Sequence, residues 1–293
     1  MHEICICILN YNNSKKTVAC LESVLRQQYH SFSVLITDNA STDDSVLRVL
    51  EYLSEKNITW LLKNQGESLE IPANENPGVV ILRSSVNGGF SSGNNLSLVF
   101  VRQNPEIRNV LLLNNDVILN DDFFKEITGS YRAAMMKNPG LKVALGASEY
   151  GSDKKFHHHG IHHLHILSGL VFAKPVFPSY AYIVGACMFL PADVPDMDEG
   201  YFLYYDDAAY SKILQARGYL ISTCNKAGYI HDAGTTTRHN PQLHRIIFRS
   251  MRRFYTMHYP AAYPFVIFFR VLLELLRGRI RIAGVILSSA FRK

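Results

Sequence analysis

The sequence predicts an α/β protein built on a mostly parallel central sheet flanked by helices, with a helical C-terminal extension. In the first half of the chain, short apolar runs of β character alternate with amphipathic helical runs, the pattern of βαβ units. Each apolar run there stops in a polar cluster rich in Asn, Asp, Gly and Ser. The composition, 293 residues at 47% hydrophobic and 19% charged, is globular and excludes disordered, collagen-like and fibrous classes. It suits one large α/β domain or two small ones.

Residues 3–9 (EICICIL) form a β-type run ending in Asn10-Tyr11-Asn12-Asn13, a loop signature. Ser14 is placed to cap a helix whose apolar positions Val18, Leu21, Val24 and Leu25 follow helical spacing. FSVLITD (32–38) is a buried strand stopped by the cluster 39–44. Residues 45–53 are helical and 58–62 strand-like, 63–78 form an excursion, and VVILR (79–83) returns to strand. Asn87-Gly88-Gly89-Phe90 opens a loop before a helix through 96–101, and NVLLLNND (109–116) is a fully apolar strand with a polar end. If these strands are parallel, the clusters 10–13, 38–44, 87–93 and 114–116 share one sheet edge. Ligands of open parallel sheets bind at that edge.

Five cysteines make an odd count, and the chain starts MHEICICILN without a basic leader or cleavage site, so a reducing, cytoplasmic compartment is expected. Cys5 and Cys7 share a strand face and do not suit a disulfide. The net charge of +5 is unevenly spread: residues 238–293 hold 11 Lys and Arg against one acid, Glu274, giving +10 there and −5 in the body. The tail is also apolar, yet its longest stretch free of Lys, Arg, Asp and Glu (254–269) contains two prolines and is shorter than the roughly 20 residues of a spanning helix. A helix lying on the anionic inner face of the cell membrane is expected, with a helix that merely covers the body as the plainer alternative. Nucleic-acid binding would need basic residues interleaved with stacking aromatics on one exposed face, and the long aliphatic runs fit this less well.

Several clusters carry possible chemistry. Asp38, held at a strand end, can accept hydrogen bonds from a base or ribose; taken alone it is more readily a helix cap with Ser41 or Asp43. The glycine-rich turn 87–95 offers backbone amides and a helix start to phosphate but matches neither GxGxxG nor the Walker pattern. Asn114 and Asp116 give two oxygen ligands on one side of a strand end, which suits Mg²⁺ or Mn²⁺. Asp121 and Asp122 are read as caps of the next helix. Asp206-Asp207 begins a helical run, so that one carboxylate can face a cleft as a general base while the other caps. His231 follows an apolar run and can be a metal ligand or a structural histidine. The six histidines in 157–165 suggest zinc, but without fixed ligand spacing they fit a polar loop better.

In order, ILNYNN (8–13), ITDNASTDDS (36–45), NGGFSSGNN (87–95), LLLNNDV (111–117), GACMFLP (185–191), DEGYFLYYDDAAYSKILQARGY (198–219) and His231 resemble the inverting GT-A glycosyltransferases of family 2. The resemblance is strongest to the rhamnosyltransferase-like branch of bacterial surface-polysaccharide synthesis, and it covers residues 4–235. It implies a GT-A fold, with a Rossmann-like sheet, over 1–235, and the charge and apolar content of 236–293 mark a basic amphipathic extension beyond it. It implies a nucleotide-sugar donor (dTDP- or UDP-linked) held by Asn10, Tyr11, Asp38, Asn87, Gly88 and Asn115. It implies Mn²⁺ or Mg²⁺ at Asp116 with His231 and Asn114, and Asp207 as catalytic base. Gly185, Tyr205 and Asp206 are placed at the pocket for a glycan or lipid-linked glycan acceptor.

The sugar favoured by likeness is rhamnose; galactofuranose, glucose and N-acetylated sugars stay open, as does the oligomeric state. Two motifs depart from the family pattern. The DxD position reads Asn114-Asn115-Asp116, replacing the first carboxylate by an amide, and the ED position reads Asp206-Asp207. The competing readings are a non-catalytic glycan- or nucleotide-binding relative serving in assembly, and a sugar nucleotidyltransferase. The latter would want an N-terminal Gly-rich loop with Arg and Lys, where this chain has NYNNSKK.

Overall fold

The computed structural model describes residues 3–28, 31–71, 77–231 and 241–291. The apolar runs become β1 (Ile4–Asn10), α1 (Ser14–Leu25), β2 (Phe32–Asp38), α2 (Ser45–Glu55), β3 (Trp60–Asn64), β4 (Val79–Arg83), α3 (Gly89–Gln103) and β5 (Asn109–Asn114). A short β6 (Val117–Leu119) and α4 (Phe123–Lys137) lead to β7 (Lys142–Tyr150), β8 (Phe156–His158), β9 (Ile161–His165), β10 (Val171–Phe172), β11 (Ser179–Ile183) and β12 (Cys187–Pro191). Then come α5 (Asp206–Ala216), the long β13 (Tyr219–His231), α6 (Pro241–His258), α7 (Tyr263–Leu276) and α8 (Ile280–Phe291).

The large sheet runs β3-β4-β2-β1-β5-β12-β7-β13-β6, with β8 paired to β7, and β10-β9-β11 form a separate antiparallel sheet. The five strands from β3 to β5 are parallel to one another; β12 is antiparallel to both of its partners, β5 and β7. Strand β1 shows why the runs are continuously apolar. Ile4, Ile6 and Ile8 face α1 and pack with Cys20, Leu21 and Val24, while Cys5 and Cys7 face α3 and pack with Leu98 and Val101. Both faces are covered, as parallel strands require. All five cysteines are buried and unbridged.

Several local expectations are corrected. Ser14 is the first helical residue rather than the cap; the cap position is Asn13, with φ 62° and no side-chain cap bond. The tight strand-to-helix turn puts Asn12 and Asn13 both in the left-handed region, which asparagine tolerates better than most residues. Asp122 sits at the start of α4 but makes no capping bond, and Asp121 instead pairs with Arg26. Helix α3 begins at Gly89 rather than near 96, because its first turns bury polar residues. Asn94 donates to the Phe90 carbonyl, and Asn95 to the Met197 carbonyl and Glu199. The excursion at 63–78 is shorter than expected, since β3 runs to Asn64 and Leu69 is buried; its residues 72–76 lie outside the described residues. The histidine run is no loop: it forms β8 and β9.

The expected junction at 235/236 lies outside the described residues. Beyond it, Phe248, Met251, Phe254 and Tyr255 of α6 pack with Leu164, Tyr180, Tyr182, Ala208 and Val266 in one buried cluster. The helices of the tail thus share a core with β9, β11 and α5. The Phe254 ring, fully buried, lies 5.0 Å from His258, 5.5 Å from Tyr205 and 6.3 Å from Tyr180. Phe254→Ala is expected to cost about 3–5 kcal/mol, read as a lower midpoint in urea unfolding of the whole chain. An unchanged midpoint would mean that the tail folds apart from the sheet.

Candidate active site

The parallel register sets the donor-side edge. Asn10 lies opposite Asp38, and Leu9 opposite Asn114. The buried Asp38 carboxylate accepts from Asn10 Nδ2 at 2.7 Å and from the Ser41 hydroxyl at 2.5 Å. Asn10 Oδ1 in turn accepts from the Thr17 hydroxyl at 2.5 Å and from Asn115 Nδ2 at 3.2 Å. Asn115 therefore faces the Asn10 loop, away from Asp116. Asn39 ties in the glycine turn: its Nδ2 donates to Asn87 Oδ1 at 3.0 Å, and its Oδ1 accepts from the Gly88 N–H. Gly89 has φ +83°, and a Cβ there would collide with the Phe202 carbonyl. Only glycine allows this turn to sit against the 198–205 segment. Tyr11, 45% exposed, stands at the mouth of this edge.

Strand order builds the second group. Strand β13 lies between β6 and β7, with His231 opposite Val117 and Tyr229 opposite Glu149. His231 Nε2 is consequently 3.3 Å from Asp116 Oδ1, and its Nδ1 is 3.1 Å from Glu149 Oε2. Lys16 Nζ approaches Asp116 Oδ2 at 3.3 Å. Glu149 also accepts from the Tyr229 hydroxyl at 3.0 Å and lies near His157 and His158. Burial disfavours the charge on each of these groups, but their partners outweigh it. His231 is pushed up to about 9 by Asp116 and Glu149. Glu149 is held well below the usual carboxylate range by His158 and His231, and Asp116 is lowered by His231 and Lys16.

Glu149 escaped the sequence reading. Its one signal was a lone acid inside the run ALGASEY (144–150). With Nδ1 directed at Glu149, His231 offers Nε2 to whatever sits beside Asp116, the arrangement of an oriented metal-ligating histidine. No group of three or more His, Cys, Asp or Glu among the described residues could hold an ion by itself. Asp116, His231 and the Asn114 amide, which lines the same cleft, fit a partial oxygen and nitrogen set for Mn²⁺ or Mg²⁺, with phosphates and waters completing it.

The third group is α5. Asp207 Oδ2 accepts from the Gly185 N–H at 3.3 Å, and its Oδ1 from the Ala208 N–H at 2.8 Å. A Cβ on Gly185 would lie 3.1 Å from the Phe90 ring and 3.4 Å from Asp207 Cβ, so glycine keeps this approach open. Asp206 Oδ1 accepts from the Asp207 N–H, while its buried Oδ2 has no partner among the described residues. Burial pushes both carboxyls up, and the neighbouring Asp207 charge pushes Asp206 further. Two carboxyls so placed do not both ionise readily near neutrality, and Asp206 is the more strongly raised of the two. Tyr204 and Tyr205 precede them at φ 65° and 60°, backbone strain of about 1–3 kcal/mol each that clusters at functional sites.

One cleft of about 580 Å³ is lined by Asn114, Asp116, His231, Gly185, Asp206 and Asp207, together with Tyr205 and, from the tail, Ile247 and Arg270. Asn10, Tyr11, Asp38, Asn87, Gly88 and Asn115 lie outside it, along the adjoining sheet edge.

The model of Glycosyl transferase family 2 matches residues 5–187. The chain belongs to glycosyl transferase family 2. The glycosyltransferase has the GT-A fold, and its likeness to solved structures runs through the tail. The mannosyltransferase PcManGT from Pyrobaculum calidifontis, in complex with GDP-Man and Mn²⁺, superposes with TM-score 0.57 at 11% identity, over 99% of this chain and 75% of that one. GalNAc-T7 with UDP, GalNAc and Mn²⁺ gives 0.56 at 10% identity, over 86% and 47%. S. aureus TarS 1–349 with UDP-GlcNAc gives 0.53 at 14% identity, over 91% and 71%. No curated protein matches the sequence significantly.

With His231 pushed up to about 9 by Asp116 and Glu149, a cation that took its Nε2 would displace a proton. Mn²⁺ affinity, titrated by calorimetry between pH 6.5 and 8.5, is expected to rise by up to about tenfold per pH unit. Glu149→Gln should lower Mn²⁺ affinity by about 10–100-fold and flatten that dependence. A pH-independent affinity in the wild type would remove His231 from the ligand set.

Proposed function

We propose that the enzyme inverts configuration as it moves a sugar from a nucleoside-diphosphate donor, dTDP- or UDP-linked, to a hydroxyl of a glycan or lipid-linked glycan. The sugar to which the family resemblance points is rhamnose. The observation that carries this reading is the one cleft lined both by the half-buried Asp207 and by the Asp116–His231 pair. Residues 1–235 serve as the catalytic body and 236–293 as an extension on the acceptor side.

The chemistry follows from the residues. The raised pKa of Asp207 makes its carboxylate a better proton acceptor than an ordinary aspartate while leaving it ionised at neutral pH. As it takes the acceptor hydroxyl proton, the oxygen bonds to the anomeric carbon and the bond to the donor phosphate breaks. The electron pair leaves with the nucleoside diphosphate. Asp116 and His231 would hold a divalent cation, Mn²⁺ or Mg²⁺, that neutralises this leaving group. The loop of Asn10 and Tyr11, with Asp38, Asn115 and the Asn87-Gly88 turn, would hold the nucleoside along the adjoining edge. Gly185, Tyr205 and Asp206 would bound the acceptor.

The extension supports a peripheral contact with an anionic membrane surface. No helix among the described residues is long and apolar enough to cross a membrane. Yet α7 and the start of α8 expose Phe265, Phe268 (62%), Leu275, Leu276 (77%) and Ile280 (72%) beside Arg277, Arg279 and Arg281, the mixture that settles into headgroups. The double variant Phe265→Ser, Phe268→Ser, altered only at exposed positions, should lose pelleting with phosphatidylglycerol vesicles. Undiminished pelleting would rule out this face.

Asp207→Asn should lower transfer by about 10²–10⁴-fold while UDP, dTDP or GDP binding in the presence of Mn²⁺, measured by calorimetry, stays within about twofold. In the wild type, kcat/KM should fall as pH drops through an apparent pKa above that of an ordinary aspartate. Equal loss of transfer and nucleotide binding in the variant would make Asp207 a structural residue.

A further inference from the structure

Asp116 is held by a different group on each oxygen. Its Oδ1 lies 3.3 Å from His231 Nε2, and its Oδ2 lies 3.3 Å from Lys16 Nζ. An imidazole can stay beside a divalent ion as one of its ligands. An ammonium cannot: it has no lone pair to give, and the ion's charge repels it. A divalent ion therefore reaches Asp116 Oδ2 only if Lys16 moves off it. The surroundings permit that movement, since the Lys16 side chain is 32% exposed and lysine carries its charge on a flexible stem.

The place of Lys16 in the fold points to what receives it. It sits in the first turn of α1, one residue before Thr17. The Thr17 hydroxyl donates to Asn10 Oδ1 and accepts from Asn115 Nδ2 at 3.0 Å, both on the donor-side edge. Asp116 lines the cleft, and α1 lies outside it. The Lys16–Asp116 pair thus spans the seam between the edge read for the nucleoside and the cleft read for sugar transfer. A nucleoside diphosphate sugar laid across both would bring its diphosphate to that seam. When the bond between sugar and diphosphate breaks, the electron pair stays on the terminal phosphate oxygen, which gains negative charge. A mobile ammonium at the seam is placed to meet that charge.

We propose that Lys16 exchanges partners during the reaction: it is the counter-charge of Asp116 before the donor binds, and it passes to the donor diphosphate as a divalent cation takes Asp116. This rests on the glycosyl-transfer reading, since a diphosphate donor must occupy the seam. Lys16 and the cation then compete for Asp116 but act together on the leaving group. The two effects have opposite signs, which separates this role from that of a residue that merely supports the loop around Asp116.

The test is calorimetry on the full chain and on Lys16→Met, first with Mn²⁺ alone, then with UDP and with uridine in saturating Mn²⁺. The variant should bind Mn²⁺ about threefold or more tightly than the wild type, because the competing ammonium is gone. It should bind UDP about tenfold or more weakly, because a charge-assisted contact is lost. Uridine, which has no phosphate, should bind within about twofold of its wild-type affinity. Tighter Mn²⁺ and intact uridine binding together also show that the variant has folded. Weaker binding of both Mn²⁺ and UDP would overturn the proposal and make Lys16 a support of the Asp116 loop. Unchanged affinity for either Mn²⁺ or UDP would overturn the exchange. Equal weakening of UDP and uridine would place Lys16 at the nucleoside instead, and the proposal would fall. All of these are read against a wild type that binds UDP. Failure of UDP and dTDP alike to bind the wild type is a separate result, which would strike the transferase reading itself and this proposal with it.

Discussion

Strand β1, hydrogen-bonded in parallel register to β2 on one side and β5 on the other, is the constraint on which the rest of the site depends. Parallel pairing sends the carboxyl ends of all three strands to one edge, so Asn10, Asp38 and Asn114 arrive together without any contact between distant loops having to be found. The hydrogen bonds among Asn10, Asp38, Thr17 and Asn115 then stiffen an edge that would otherwise be three independent turns. Covering both faces with α1 and α3 fixes the register, because a one-residue slip would force the isoleucines into the α3 side, which is packed around the smaller Cys5 and Cys7.

Buried charge is treated in opposite ways at the two ends of the cleft. At one end Asp116, His231, Glu149 and Lys16 alternate in sign, so each holds its neighbour's charge despite burial. At the other end Asp206 and Asp207 accept from backbone N–H groups but pair with no cation among the described residues, and burial pushes both towards the neutral form. On the proposed reading the site binds a diphosphate and also takes a proton, which needs both environments, and environments that push like groups apart are what assign roles to them.

The extension belongs to this economy of surfaces. Its inner faces complete the third core cluster around Phe254 and Tyr255, its outer face is apolar and basic, and between them Ile247 and Arg270 reach the cleft. Removing it would therefore take away part of the core and part of the cleft wall together, so the proposed contact with a membrane surface is testable only by changing exposed side chains.

The doubly covered strands were legible in the sequence because complete burial leaves an uninterrupted apolar run, and Asp38, Asp116, Asp207 and His231 were legible because each ends such a run or opens the helix after it. The early start of α3 was hidden, since Asn94 and Asn95 are buried through hydrogen bonds that no hydropathy pattern records. The histidine run was misjudged for the same reason: His158 is buried, accepts the Gly160 N–H and faces Glu149. Composition and local order thus determined the fold class and the residues at the strand ends. Only tertiary structure decided that β13 enters between β6 and β7, which alone brings Glu149 behind His231, and that α7 docks with Arg270 at the cleft. Such juxtapositions depend on strand order and helix docking, which are set by packing between segments far apart in the chain.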